Sequence, residues 1–437
     1  MEFTNILIQL FLFLILFYFG IPVNKLYLNK IRLNIIDNYV LNTIFYINFF
    51  LLLSFFNLNI YELLVSYLIL ISIILILNFK YLFSPIKNLK INFFLFSIIF
   101  ITLIIISVDI SSSITLGWDP QKFWIYKTIN FYDSGSIENL KYLDKGDGYD
   151  YPYLGSLLWA IYWKISFYNE EYFGRLFYGF IYILSLLSMI NRLNGSNYSK
   201  IIIFLILVLL TYNYDYFSGE QDILLFSLVG FAASLIIKIF KIKNNKELIL
   251  NLFLLIFLCN LMIWTKAEGS VYAFIIILSL VFFLNVKISF KLILIISLIG
   301  LMAVRIFIYK FYGLNIGVNS CCWNDLSLGG IYLKITYLRI YTIFEYFFYS
   351  FLNNYVIILS FLLLIISKNK IQFIMKNLYN YLIIFLCFGF IFSAYLLTDI
   401  NLVFMLKTGL DRLFFSITPF FIIIIINYLN INKLEFK

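Results

Sequence analysis

Apolar residues fill this chain in long runs broken by short polar stretches. At 1.5 Å per residue, runs of about 16 to 20 apolar residues match helices crossing the ~30 Å hydrocarbon core of a bilayer. They fall near 5 to 22, 39 to 57, 60 to 79, 92 to 109, 172 to 190, 201 to 217, 222 to 240, 248 to 264, 269 to 286, 290 to 309, 353 to 367, 379 to 397 and 413 to 429. The pattern predicts an all-α, polytopic membrane protein with thirteen transmembrane helices. It reads as one transmembrane domain over 1–437, in which the helices of 1–91 precede a bundle over 92–429 with outer loops at 111–171 and 310–352. The first run has no Lys or Arg ahead of it, so it reads as a retained helix and not a cleaved signal.

Charge orients these helices. With the N-terminus outside, the inner segments hold 19 basic residues against Asp37, Glu247 and Glu435, a net +16, and the remainder carries −6. The overall +10, from 32 Lys and Arg against 22 Asp and Glu, is therefore a record of orientation by the positive-inside rule. It also supplies contacts to anionic lipid heads, and no nucleic-acid partner is expected. The C-terminus falls on the cytoplasmic side. Two further stretches, 151–167 and 333–351, are apolar but would invert every later loop if they crossed, so both read as interfacial helices on the outer face. The aromatic content of YPYLGSLLWAIYWKISF suits the headgroup level.

Composition narrows the chemistry. A chain 63% hydrophobic and 12% charged is no soluble enzyme. With no histidine, histidine bases and histidine-ligated metals are excluded, which leaves carboxylate, Lys, Arg, Tyr, Ser or Cys. Cys259 and Cys387 read as core residues, and the adjacent Cys321 and Cys322 carry no assigned role.

The polar residues gather on the outer side. The 111–150 segment contains GWDPQKFWIYKTINFYDSG and DKGDGYD, too long and aromatic for a plain connection. Asp119 before Pro120 fits either a helix N-cap or a catalytic carboxylate. DKGDGYD lacks the closing Glu of a calcium loop and reads as a turn. Glu220 and Asp222 lie in the outer turn SGEQD, Lys266 and Glu268 in WTKAEG, and Arg175 and Asp411-Arg412 near the starts of spans. Ionisable groups at membrane depth are costly and point to a polar site. A carboxylate there can take a proton from an attacking hydroxyl while Arg or Lys neutralises a phosphate leaving group. Glu220 and Asp222 form a second acidic pair suited to Mg or Mn through oxygen ligands.

Trp118-Asp119, Trp124 and Lys127, then Tyr151-Pro152-Tyr153-Leu154, Lys266-Ala267-Glu268-Gly269 and Asp411-Arg412 with Pro419 occur in an order that resembles the type C (GT-C) integral-membrane glycosyltransferases. More narrowly, they are similar to an uncharacterised bacterial branch related to aminoarabinose-transferases and protein mannosyltransferases, and the resemblance covers roughly 109–419. The resemblance implies a GT-C-like bundle in the bacterial inner membrane that takes a polyprenyl-phosphate-linked sugar as donor and a lipid or glycan as acceptor on the outer face. It implies Asp119 as catalytic base, with Asp109 as a second candidate at the membrane boundary. Lys122, Lys127, Arg175, Lys266, Glu268, Arg412 and Tyr151 would bind the donor phosphate or substrate, and Glu220 with Asp222 would match the second acidic site. The chain departs from mannosyltransferases in having Trp-Asp where they have Asp-Glu, and no His before Tyr-Pro. The alternatives are a transporter or flippase of a lipid-linked saccharide, and a glycan polymerase or ligase. No internal repeat favours the first, and the 310–333 loop lacks the Arg expected of the second.

Overall fold

The computed structural model describes residues 2–18, 34–78, 93–112, 115–143, 151–242, 244–314, 328–367 and 370–432. DKGDGYD beyond Leu143, together with Cys321 and Cys322, lies outside them. All regular structure among the described residues is helical. In chain order the helices are α1 (Glu2–Tyr18), α2 (Ile35–Ser54), α3 (Ile60–Asn78), α4 (Phe93–Ser112), α5 (Ile125–Tyr132), α6 (Leu154–Ser166), α7 (Tyr172–Ile190), α8 (Asn197–Thr211), α9 (Tyr214–Phe217) and α10 (Asp222–Lys241). They continue with α11 (Asn245–Thr265), α12 (Ala267–Phe283), α13 (Ile288–Phe311), α14 (Leu328–Lys334), α15 (Tyr337–Asn353), α16 (Tyr355–Ile366), α17 (Lys370–Lys376), α18 (Leu378–Leu397) and α19 (Leu402–Asn432).

Each of the thirteen predicted runs is helical over most of its described residues, the run at 201–217 being divided between two helices. Seven of the described helices are long and apolar enough to cross a membrane, or eight if the α15–α16 pair, bent by 85°, counts as one broken span. Five shorter apolar helices accompany them. This is the make-up of a multi-pass membrane protein.

Burial sorts the helices into an inner and an outer set. α10 is the axis: it packs on α7, α11 and α19 and is buried from Asp222 to Ile237. By contrast α13 and α18 turn apolar side chains outward, among them Ile296, Phe307 and Phe385. In water such faces would mark a docking surface, but on helices of this length they are what lipid tails cover.

Three features differ from expectation. α6 covers most of the first stretch read as interfacial, and at 13 residues it reaches only about 20 Å, too short to cross. Its aromatics, however, do not form a headgroup belt. Trp159, Tyr162 and Trp163 are buried, with Tyr162 stacked on Phe177 of α7 at 4.1 Å and Trp159 Nε1 donating to the Glu171 carbonyl at 3.0 Å. The run at 201–217 breaks after Thr211, where Asn213 caps the separate short turn α9. The last helix begins at Leu402, well before the predicted 413, because the Asn401 side chain accepts from Phe404 N at 3.1 Å and starts it earlier. Arg412 therefore sits in its third turn.

Candidate active site

The first-loop carboxylate is carried by a rigid element. Residues Pro120–Trp124 form a π-helical turn that continues into α5, and π-turns recur at functional sites. Asp119 has helical backbone angles and makes no capping hydrogen bond, so the N-cap role is not the one it takes and its carboxylate is free to face the bundle. The turn docks on the loop ahead of α10: Gly117 N donates to the Ser218 carbonyl at 3.0 Å. Two glycines permit this approach. A Cβ on Gly117 would come within 2.9 Å of Glu220 Oε1, and Gly219 has φ +99° with Trp159 2.8 Å from where its Cβ would be.

Carboxylates from two other chain segments then meet on one guanidinium. Arg412 Nη2 lies 2.5 Å from Asp119 Oδ2 and 3.2 Å from Glu220 Oε2, and Arg412 Nε lies 3.0 Å from Asp222 Oδ2. The other oxygen of Asp222 accepts from Lys266 Nζ at 2.9 Å, and Lys266 is 4.0 Å from Glu268. Asp222 is thus shared by two cations and its side chain is fully buried, while those of Asp119 and Arg412 are each 21% exposed. The cluster has a wall and a rim.

The acids outnumber the bases, four to two, and Glu220 takes up part of the imbalance. Burial, against the pull of Arg412 and with help from the nearby Asp222 and Asp119 charges, pushes its carboxyl up to about 8. Its Oε2 makes no aligned hydrogen bond, so Glu220 is the acid of the cluster that holds its proton to the highest pH. Burial works against the Lys266 ammonium, but Asp222 and Glu268 outweigh it and raise its pKa.

The remaining expected residues play other parts. Arg175 is fully buried and pairs with Glu171 through Nη2 at 2.6 Å and Nε at 3.0 Å, and Nη1 reaches the Phe217 carbonyl at 3.5 Å. It ties α7 to the segment before α10. Lys127, also buried, donates to the Tyr151 carbonyl at 2.6 Å, which Tyr309 O–H also reaches at 3.1 Å. The Tyr151 ring packs on Phe123 and Trp124. These residues build the floor under the π-turn. Lys122 is exposed and has no ion pair among the described residues. Asp109 accepts a hydrogen bond from Tyr212 O–H.

Glu220 and Asp222 do not suit a metal in this arrangement. Among the described residues no three His, Cys, Asp or Glu are grouped to hold an ion, and the oxygens that would ligate one face Arg412 and Lys266.

Arg305 is a further member. Its Nη1 donates to the Ile263 carbonyl at 2.9 Å and to Ser270 Oγ at 3.0 Å, stapling the last turn of α11 to the first of α12 on either side of Lys266. Its signal in the sequence is plain: a charge inside the apolar stretch of α13 between Lys291 and Lys310.

No family model, no curated protein and no solved structure matches this chain.

Proposed function

We propose that this chain is a GT-C-like membrane glycosyltransferase that moves a sugar from a polyprenyl-phosphate donor to a lipid or glycan acceptor. In this reading thirteen helices cross a bacterial inner membrane, the N-terminus and the cluster face outside, and the C-terminus is cytoplasmic. The observation that carries it is the Asp119–Arg412 pair, a carboxylate and a guanidinium together at the rim of a buried charged wall. Arg412 is anchored from behind by Asp222 through Nε, so its Nη groups can pass from Asp119 to an incoming phosphate. That exchange frees Asp119 as the base. The acceptor hydroxyl gives its proton to Asp119 as its oxygen bonds to the anomeric carbon, and the sugar–phosphate bond breaks with its electron pair leaving on the phosphate. Arg412 neutralises that charge.

The test is Asp119→Asn in proteoliposomes supplied with a panel of polyprenyl-phosphate sugars. Donor consumption should fall by about 10²- to 10⁴-fold, the usual worth of a positioned base, with an unchanged melting temperature. Near-normal turnover would remove Asp119 from the role. Donor carried across the bilayer without cleavage by the wild-type protein would replace transfer with translocation.

A further inference from the structure

The opposite end of α10 carries a second polar feature. Lys241 lies 19 residues after Asp222, about 28 Å along a helix, which puts it at the depth of the other headgroup layer. There the ends of α7 and α10 and the start of α11 enclose an open hollow of ≈ 550 Å³ lined by Asn191, Arg192, Lys238, Lys241, Asn244 and Glu247 among others. That volume is in the range of small-ligand sites.

The hollow is built, and its charge is positive. Three cations line it against one carboxylate. Arg192 is set in place by Asp37, with Nη2 2.7 Å from Oδ1, and by Ser234, whose Oγ accepts from Nε at 2.9 Å. Asn430 of α19 closes the far side, accepting from Asn194 N at 2.6 Å and donating to the Arg192 carbonyl at 3.0 Å. Lys238 is divided between Asp37 at 3.8 Å and Glu247 at 3.6 Å. Lys241 is exposed at the mouth and has no ion-pair partner among the described residues. On the other side of Arg192 and Lys238 is a separate, mostly apolar cavity of only ≈ 30 Å³, lined by Leu41, Phe231 and Leu254 among others. This admits no acyl chain, so an amphiphile would place its head in the hollow and its tails on the outer helix faces.

We propose that this hollow is a binding site for the phosphodiester head of an anionic phospholipid of the bilayer. Lys241 meets the phosphate first, Arg192 and Lys238 hold it from behind, and the asparagine amides hydrogen-bond the rest of the head. The site is separate from the Arg412 cluster and does not depend on the transferase reading.

The full-length protein, purified in neutral detergent, is titrated with phosphatidylglycerol, with phosphatidylcholine and with inorganic phosphate, and retained lipid is read by native mass spectrometry. Phosphatidylglycerol should be retained over phosphatidylcholine. Lys241→Gln should weaken that retention about fivefold, the worth of one basic residue at an anionic lipid surface. Lys291→Gln, at the start of α13 and outside the hollow, should leave it unchanged. Equal retention of both lipids, an equal loss in Lys291→Gln, or displacement of phosphatidylglycerol by equimolar inorganic phosphate would each overturn the proposal. Lys241 is exposed, so its substitution leaves the fold intact, and matching melting temperatures of the two variants without lipid verify this.

Discussion

The two ends of α10 are both charged, and they are built on opposite plans. At the Asp222 end, one guanidinium is ringed by three carboxylates, and the carboxylate at the helix start is fully buried and shared with Lys266. At the Lys238 end, one partly buried carboxylate, Asp37, holds two cations beside an open hollow. Buried charges are held by strict pairing because an orphaned one costs several kcal/mol, whereas charges beside water tolerate loose pairing. The first arrangement is therefore preorganised and brittle, which suits chemistry. The second is compliant, which suits a surface that meets lipid heads.

The sharpest way to break this contrast is Arg412→Gln. It leaves Asp119, Glu220 and Asp222 facing one another with Asp222 still buried, and should cost about 3 to 5 kcal/mol as well as abolishing transfer. Thermal melting in detergent reads the first effect and donor consumption the second. The matching change at the other end is Asp37→Asn. Arg192 keeps Ser234 and Lys238 keeps Glu247, so the loss should be about 1 to 3 kcal/mol, the range for hydrogen bonds to charged groups. An Asp37→Asn variant that melts lower than Arg412→Gln would reverse the contrast.

How much of this was legible in the sequence follows from the same residues. The helical character of the apolar runs was, because runs of this length admit few alternatives. So was the gathering of Asp119, Glu220, Asp222, Lys266, Glu268 and Arg412, since charge parity assigns their segments to one side. Which of them touch was not, because pairing is a property of helix rotation. Arg412 became the hub only once α19 began at Leu402 and carried it into a third turn. Arg175 had a nearer option, Glu171 four residues earlier, and an i,i+4 pair is visible in sequence. The burial of α6 was illegible for a different reason. Trp and Tyr at helical spacing describe an interfacial belt and a packed core equally well, and only the neighbours α5 and α7 decide between them.

A smaller effect separates the ends by pH. Glu220 binds its proton more tightly folded than unfolded, so it contributes stability that is full below its ordinary pKa near 4.5 and is lost as pH rises to about 8. The wild-type melting temperature should therefore fall across that window, and Glu220→Gln should flatten the decline. An unchanged slope in Glu220→Gln would mean that the carboxyl is ionised in the fold and that the cluster holds its full negative excess.

The smallest expected effect carries the most information about roles. Glu268 is the other partly exposed acid of the cluster, its side chain 28% accessible and 4.0 Å from Lys266. By exposure alone it is as good a base as Asp119. What it lacks is a guanidinium at the rim, since Lys266 is committed to Asp222 and is itself buried. A proton taken by Glu268 would leave the phosphate charge to a cation that must break a buried pair to reach it. Glu268→Gln should thus cost under about 1 kcal/mol, as for loosely held ion pairs, and leave transfer within a few-fold of wild type. If Glu268→Gln abolishes donor consumption while Asp119→Asn retains it, the base belongs to the start of α12, and the Asp119–Arg412 pair closes the rim in place of opening it.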